Sequence, residues 1–465
     1  MTTQKHSRKT IHTLAMLAVW LSPFPIHAQS SATPGPSGPP LVVHIETITT
    51  NLSGPASPTD STDQLFPTDL VPFADNSSRT LIVTLGGVLR VLDARHQLQA
   101  QPYFNATNAK TLTGQNHFAS FGFTTATFHP NFAVPKADGF GVFFMVEPET
   151  TQTQPPPDFP GVGPDNTSDR NPHHDRVLYE YTTSDPSANT LTLGQNVSKR
   201  EVLRIHEPRR GHDVNDLLFD AHGYLLIAVG DNVDADLPQN RSNVFGKILR
   251  IDPLNPATVA PRNPDDRNSN NGQYRIPASN PFVDNDNTDG NSSLDEIFIE
   301  GLRNPWRLTF APNFSALHIA NVGKNHRETV VTAHGQGGEN FGWPYFEGTR
   351  PNPKHPTPTA FTHIAPTFEY THNRFNNTHP GSITGIVAYQ GKIIPQLENQ
   401  VLFGDTLANL LFYGDPQTGI FHLLQPDESS DPLPQRIISI NQTHDGTLYL
   451  AGFDGSLARI VRSQR

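Results

Sequence analysis

One local pattern recurs along this chain and limits its fold more than any other feature. An apolar run is followed by a turn, and the turn by a β-rich run. The pattern occupies residues 70–84, 126–144, 217–228 and 308–320, with Phe73, Phe128, Phe219 and Phe310 closing the first run. It returns without the phenylalanine at 438–451 and in a looser form at 386–403. Two β-rich runs joined by a short turn read as an antiparallel hairpin. The 3.6-residue periodicity of amphipathic helices is almost absent. A lone hairpin is not stable in water, so the copies must pack on one another. Six copies in an all-β chain predict radial repetition, a six-bladed β-propeller. Their spacing, roughly 50 to 90 residues, requires long loops between some strands. Two such loops span 147–175, rich in Pro and Asp, and 261–293, rich in Asn and Asp. The competing architecture is a pair of β-sandwiches, but no break in composition divides the chain at its middle.

The N-terminus reads as an export signal over residues 1–28. Lys5, Arg8 and Lys9 precede a mostly apolar run over 11–24, and Ile26-His27-Ala28 offers a cleavage site. Residues 29–40, rich in Ser, Pro and Gly, form a flexible leader, and 41–465 form a single propeller domain. The expected location is the periplasm or the extracellular space. Among 465 residues there is no cysteine, so stability cannot rest on disulfides. The formal charge is −11, and removal of the three bases in residues 1–28 makes it −14. That balance argues against nucleic acid or an anionic membrane as partner. No later apolar run reaches the length of a membrane span.

The third hairpin carries the most chemistry. His212 opens it and Asp231 closes it. An antiparallel hairpin brings its two ends together, so imidazole and carboxylate can lie side by side. A carboxylate fixes the tautomer of an imidazole and raises its basicity, as a general base requires. The competing reading is a plain surface hairpin. Arg303 and Asn304 project from a turn stiffened by Pro305, and arginine suits planar anions. Asn321-Val322-Gly323-Lys324 could present bare carbonyls to calcium or be a simple polar loop. Residues 285–290 resemble a calcium loop only loosely. Zinc-helix, nucleophile-elbow and phosphate-loop motifs are absent from the sequence.

Eight segments in order resemble the glucose/sorbosone dehydrogenase family of soluble quinoprotein sugar dehydrogenases. They are Thr127-Phe128-His129-Pro130-Asn131-Phe132, the 212–231 hairpin, residues 245–253, residues 274–282, the 301–307 turn, the 322–328 turn, Asn340-Phe341-Gly342-Trp343-Pro344-Tyr345-Phe346-Glu347-Gly348, and Ser382-Ile383-Thr384-Gly385. The resemblance runs from about residue 42 to the C-terminus. It implies a six-bladed propeller that binds pyrroloquinoline quinone with calcium and oxidises aldoses at the anomeric carbon to lactones. By position it implies His212 as base, Asp231 as its orienting carboxylate, Arg303 near the reactive quinone oxygen and Asn304 beside it. Gly323 and Lys324 stand where the family offers backbone carbonyls to calcium.

The chain departs from the family at two positions that contact the quinone. Ser120 replaces a Glu or Gln, and Gln390 replaces a basic residue. Arg436 or Lys392 could restore the missing charge. Two functions follow. One is an exported oxidoreductase that passes electrons from a sugar to an external acceptor. The other is a non-redox propeller of the same family that binds a glycan or a protein. The residues carry no code for the identity of the sugar.

Overall fold

The computed structural model describes residues 35–52, 66–106, 122–151, 155–165, 173–209, 211–283, 293–372 and 381–463. The export signal, Ser120 and the 285–290 loop lie outside the described residues. Among the described residues the only helical elements are two 3-10 turns, Pro312–Phe314 and Pro395–Leu397. None is long and apolar enough to cross a membrane.

The fold is all-β and propeller-like. Four sheets have four strands each. The first holds Pro67–Pro72, Thr80–Thr84, Val88–Leu92 and Phe104–Asn105. The second holds Ala126–Phe128, Val142–Glu149, His174–Thr183 and Val197–Glu207. The third holds Val214–Phe219, Leu225–Val229, Lys247–Ile251 and Ile297–Ile299, and the fourth Pro305–Phe310, Leu317–Asn321, Arg327–Ala333 and Phe368–Thr371. Each of the six hairpins expected from the sequence supplies the first two strands of a four-strand run.

Four of the remaining strands form two short two-stranded ribbons, and the other eight depart from the expected pattern of separate blades. They form one eight-stranded sheet. Ile383–Ala388, Val401–Asp405, Leu410–Asp415 and Ile420–Pro426 make one half, and Ile437–Gln442, Leu448–Gly452, Leu457–Arg462 and Leu41–Thr49 the other. The N-terminal strand Leu41–Thr49 causes the fusion. It pairs antiparallel with Leu457–Arg462 and, on its other edge, in parallel with Leu424–Pro426 through Leu41–Val43. Its backbone groups thus find partners on both sides, which removes two exposed sheet edges. Early and late chain segments are locked together by the same strand.

The first strands touch in the cyclic order of the sequence, and the last touches the first, so they close a ring. Cores lie between neighbouring sheets. The strand Leu225–Val229 shows why its sequence, Leu-Leu-Ile-Ala-Val, is apolar throughout. Leu225, Ile227 and Val229 pack with Phe144 and Ile205 of the second sheet. Leu226 and Ala228 face the other way, toward Leu308 and Ile319 of the fourth. A strand's side chains alternate between faces, and here both faces are cores.

Five of the six first strands carry an irregularity after their first residue, between Pro67 and Asp69, Val214 and Asp216, Pro305 and Arg307, Ile383 and Gly385, and Ile437 and Ser439. Such bulges re-aim side chains. They turn Asp69, Asp216, Arg307 and Ser439 toward one another at the ring centre. Arg307 Nε lies 3.2 Å from Asp69 Oδ1, and its Nη atoms donate to the carbonyls of Thr68, Thr124 and Asn215. Thr125 Oγ1 lies 3.0 Å from Asp69 Oδ2 and 3.2 Å from Asp216 Oδ1. Burial and the Asp69 charge together push Asp216 up to about 7, against the pull of Arg307.

Candidate functional site

The starts of the first strands define one mouth of the ring, and the site is built there. His212 lies two residues before Val214–Phe219, and Asp231 two residues after Leu225–Val229. Val214 pairs with Val229, which brings the flanking residues together. Gly230 makes the approach possible. A Cβ on it would lie 2.3 Å from the His212 carbonyl oxygen, so only a glycine fits without displacing the backbone. His212 itself holds a left-handed φ of 56°.

The side chains meet as the sequence led one to expect. His212 Nδ1 lies 2.5 Å from Asp231 Oδ1. The second carboxylate oxygen, Oδ2, accepts the indole N–H of Trp343 at 2.9 Å. Burial alone would raise the Asp231 carboxyl. The His212 hydrogen bond, the charges of His212 and Arg303, and the Trp343 hydrogen bond outweigh it and hold the group below its usual value. An ionised Asp231 only accepts hydrogen bonds, so in the neutral imidazole the proton resides on Nδ1, which leaves Nε2 with its lone pair. The histidine side chain is 17% exposed against 3% for the aspartate, which leaves the imidazole accessible and its partner sealed.

The turn beneath His212 is braced from the second sheet. Asp213 accepts Gly211 N–H through Oδ1 at 3.0 Å, while its Oδ2 meets Arg176 Nη2 at 2.8 Å and His174 Nε2 at 3.2 Å. Burial would raise Asp213, but Arg176 and His174 bring it down to about 2.

Arg303 and Asn304 reach the same mouth at the start of Pro305–Phe310. The backbone N–H of Asp231 donates to the Arg303 carbonyl at 2.7 Å. The Arg303 guanidinium lies 5.9 Å from the Trp343 ring centroid. Its Nη1 donates to the carbonyls of Val322, at 3.1 Å, and Gly323. Asn304 is buried and accepts Asn215 Nδ2 at 2.8 Å. Gly323 and Lys324 also lie at this mouth, after Leu317–Asn321. Glu347 Oε1 accepts the backbone N–H groups of Lys324, Asn325, His326 and Arg327 at 2.7, 2.6, 2.8 and 3.2 Å. Burial favours a protonated Glu347, but these four amides prevail and lower its carboxyl.

Gln390 is not brought to this cluster. It follows the far end of Ile383–Ala388, and its backbone N–H donates to Gln442 at the far end of Ile437–Gln442. Lys392 lies beyond it on the same side. Exposed Arg436, which immediately precedes Ile437–Gln442, does stand at the mouth shared with His212.

Three residues of consequence were not singled out from the sequence. Trp343 and Glu347 fall in the 340–348 motif, whose density of aromatic and glycine residues was the available signal. Arg327 is the third. Its Nε and Nη1 are buried with no hydrogen-bond partner among the described residues. It borders a cavity of about 230 Å³ with His326, Arg350 and His372.

Comparison with known proteins agrees with this architecture. The family described as Glucose / Sorbosone dehydrogenase matches residues 180–462. The HIPL1 protein of Arabidopsis thaliana is 26% identical over 378 residues, which cover 74% of this chain and 52% of that one. The Hedgehog-interacting protein of Mus musculus is 26% identical over 247 residues, covering 52% of this chain and 29% of that one. This chain thus spans about half the length of the first relative and less of the second. The soluble aldose sugar dehydrogenase of Escherichia coli superposes with a TM-score of 0.61 at 19% identity, over 91% of this chain and all of that one. With its family match covering well over half of its length, the chain belongs to the glucose/sorbosone dehydrogenase family.

Proposed function

We propose that this chain is an exported oxidoreductase that oxidises an aldose at its anomeric carbon, with pyrroloquinoline quinone as cofactor and an external electron acceptor. The eight-stranded sheet counts in this reading as two blades joined at their outer edges, which makes six. The observation that carries the proposal is the His212–Asp231 contact of 2.5 Å, sealed by Trp343 and flanked by Arg303. In this role His212 Nε2 takes the proton of the anomeric hydroxyl. Asp231 holds the ring by Nδ1 and stabilises the imidazolium that forms. Trp343 fixes the carboxylate through its indole N–H. Bound quinone would supply the acceptor for the hydride leaving the sugar.

The residues present suit the quinone. It carries carboxylates, and the mouth offers the orphaned guanidinium N–H groups of Arg327 with Arg350 beside them. They suit calcium less well. Arg303 already occupies the Gly323 carbonyl, and a guanidinium and a divalent cation cannot share it. No step is assigned to calcium.

A second reading is favoured by that same Arg303 contact and by the likeness to a Hedgehog-interacting protein. Here the mouth binds a glycan or a protein without redox chemistry. Titration of purified chain with the quinone, with and without calcium, followed by spectra after sugar addition, separates the two. Saturable binding below tens of micromolar and sugar-dependent reduction are expected. His212→Ala should abolish reduction, by 100-fold or more for a lost general base, and leave quinone affinity within about twofold. Absence of quinone binding under both conditions leaves the second reading.

A further inference from the structure

A second cluster of chemistry-bearing side chains lies on the outer strands of the second sheet, apart from the His212 site. His173 immediately precedes His174–Thr183, and His206 is the penultimate residue of Val197–Glu207. Asp165 comes from the loop between the second and third strands of that sheet. One ligand atom from each of Asp165, His173 and His206 lies within 4.8 Å of the other two. His206 Nε2 stands 2.8 Å from Asp165 Oδ1, and His173 Nδ1 stands 3.7 Å from Asp165 Oδ2.

We propose that Asp165, His173 and His206 form a site for a first-row divalent cation of the zinc type, with a fourth coordination position open to solvent. Two imidazoles and one carboxylate are the donor set such ions prefer, whereas calcium and magnesium require oxygens. A tetrahedral ion with bonds of about 2.0–2.2 Å places its ligand atoms about 3.3–3.6 Å apart. Reaching that spacing opens the 2.8 Å His206–Asp165 pair and draws His173 inward, through small torsions of Asp165 and His173, whose side chains are 43% and 32% exposed.

The surroundings are organised as a metal site's are. His206 Nδ1 meets Asp175 Oδ1 at 2.9 Å, which orients the ring and leaves Nε2 for the ion. Asp175 is fully buried and held by Arg204 Nη1 at 3.1 Å. Alternation along the strand explains the choice of residues: His173 and Asp175 face the cluster, while His174 faces Asp213 in the interior. The loop carrying Asp165 is tied to the sheet edge before it arrives. Phe159 N–H donates to the Arg204 carbonyl at 3.1 Å and its carbonyl accepts His206 N–H at 3.0 Å. Gly161 then passes so close to His206 that a Cβ there would lie 2.8 Å from its ring and 2.2 Å from Pro208.

The test uses the full chain, stripped with a chelator and titrated with zinc against a chromophoric competitor. Binding of one zinc with a Kd of about 10 μM or tighter is expected. Cobalt in its place should give the intense visible absorption of a tetrahedral centre. His206→Gln and His173→Ala should each weaken zinc at least tenfold, and Asp175→Asn should weaken it about 10- to 100-fold by releasing the His206 ring. His222→Ala, at a distant exposed turn, should bind as wild type. Circular dichroism and metal-free Tm establish that each variant is folded, and two ligand variants guard against loss of one. Absence of binding at 100 μM free zinc would overturn the proposal. So would wild-type affinity in both folded ligand variants, since the ion would then sit elsewhere.

Discussion

Trp343 and Trp306 offer a matched pair for testing the energetics of the His212–Asp231 unit. Each indole has an arginine over its ring, Arg303 at 5.9 Å and Arg307 at 5.5 Å. They differ in the fate of the indole N–H. Trp343 Nε1 donates to Asp231 Oδ2 at 2.9 Å, whereas Trp306 Nε1 is buried with no partner among the described residues. Phenylalanine at 343 therefore deprives a buried carboxylate of a charge-assisted hydrogen bond. Such bonds contribute about 1.5–3 kcal/mol, so a loss of about 2 kcal/mol is expected beyond the packing term. Phenylalanine at 306 removes an unsatisfied donor and loses packing alone. The unit Pro34–Arg465, at about 2.1 cal/mol/K per residue, unfolds with an entropy of about 0.9 kcal/mol/K. Trp343→Phe should then melt about 2 °C below Trp306→Phe at pH 7 by scanning calorimetry. The sign of the pH dependence is fixed by Asp231, whose folded value lies below its ordinary 3.8. Its stabilisation is complete above 3.8 and is lost as pH falls through the lowered value. The gap between the variants should hold from pH 7 to about 5 and narrow below 3.8. Equal melting temperatures at pH 7 would refute the account of Trp343 as the anchor of the carboxylate.

Other expectations follow from single contacts. Glu347→Gln should destabilise by about 2 kcal/mol in urea unfolding at pH 7, because one anionic oxygen serves four amides; the lowered Glu347 value means this loss shrinks as pH falls below 4.5. Asp216 binds a proton in the folded state up to about 7 and in the unfolded state only to 3.8. It therefore makes wild-type stability decline between those pH values, by up to about 1.4 kcal/mol per unit, and Asp216→Asn should flatten that slope. Gly230→Ala should cost about 1–3 kcal/mol and, under the proposed function, lower turnover with little change in quinone affinity, because its Cβ would displace the His212 backbone.

What was legible in the sequence follows from the range over which each signal acts. Hairpins are local, so all six could be read from β-rich runs and turns. The His212–Asp231 pair was legible for the same reason, since register within one hairpin fixes which ends meet. The fusion of two four-strand runs was not, because it depends on pairing Leu41–Val43 with Leu424–Pro426. Nothing in either segment marks the other. The partners of Glu347 were likewise invisible: its four donors lie about 20 residues away and are backbone groups, which leave no trace in residue type.

Gln390 shows how far a motif can mislead without topology. Each first strand starts at one mouth of the ring and ends at the other. His212, Arg303 and Arg436 all precede such strands, whereas Gln390 follows one. A strand of six residues, Ile383–Ala388, separates the two ends by about 17–20 Å. No side chain spans that distance to a ligand held at His212. The substitution at 390 therefore carries no information about anion binding at this mouth. The cationic side chains that stand at or just before strand starts on the His212 side include Arg303, Arg327 and Arg436. Under the proposed function a quinone carboxylate meets the unpaired N–H groups of Arg327, while Arg303 keeps its hold on the Gly323 carbonyl.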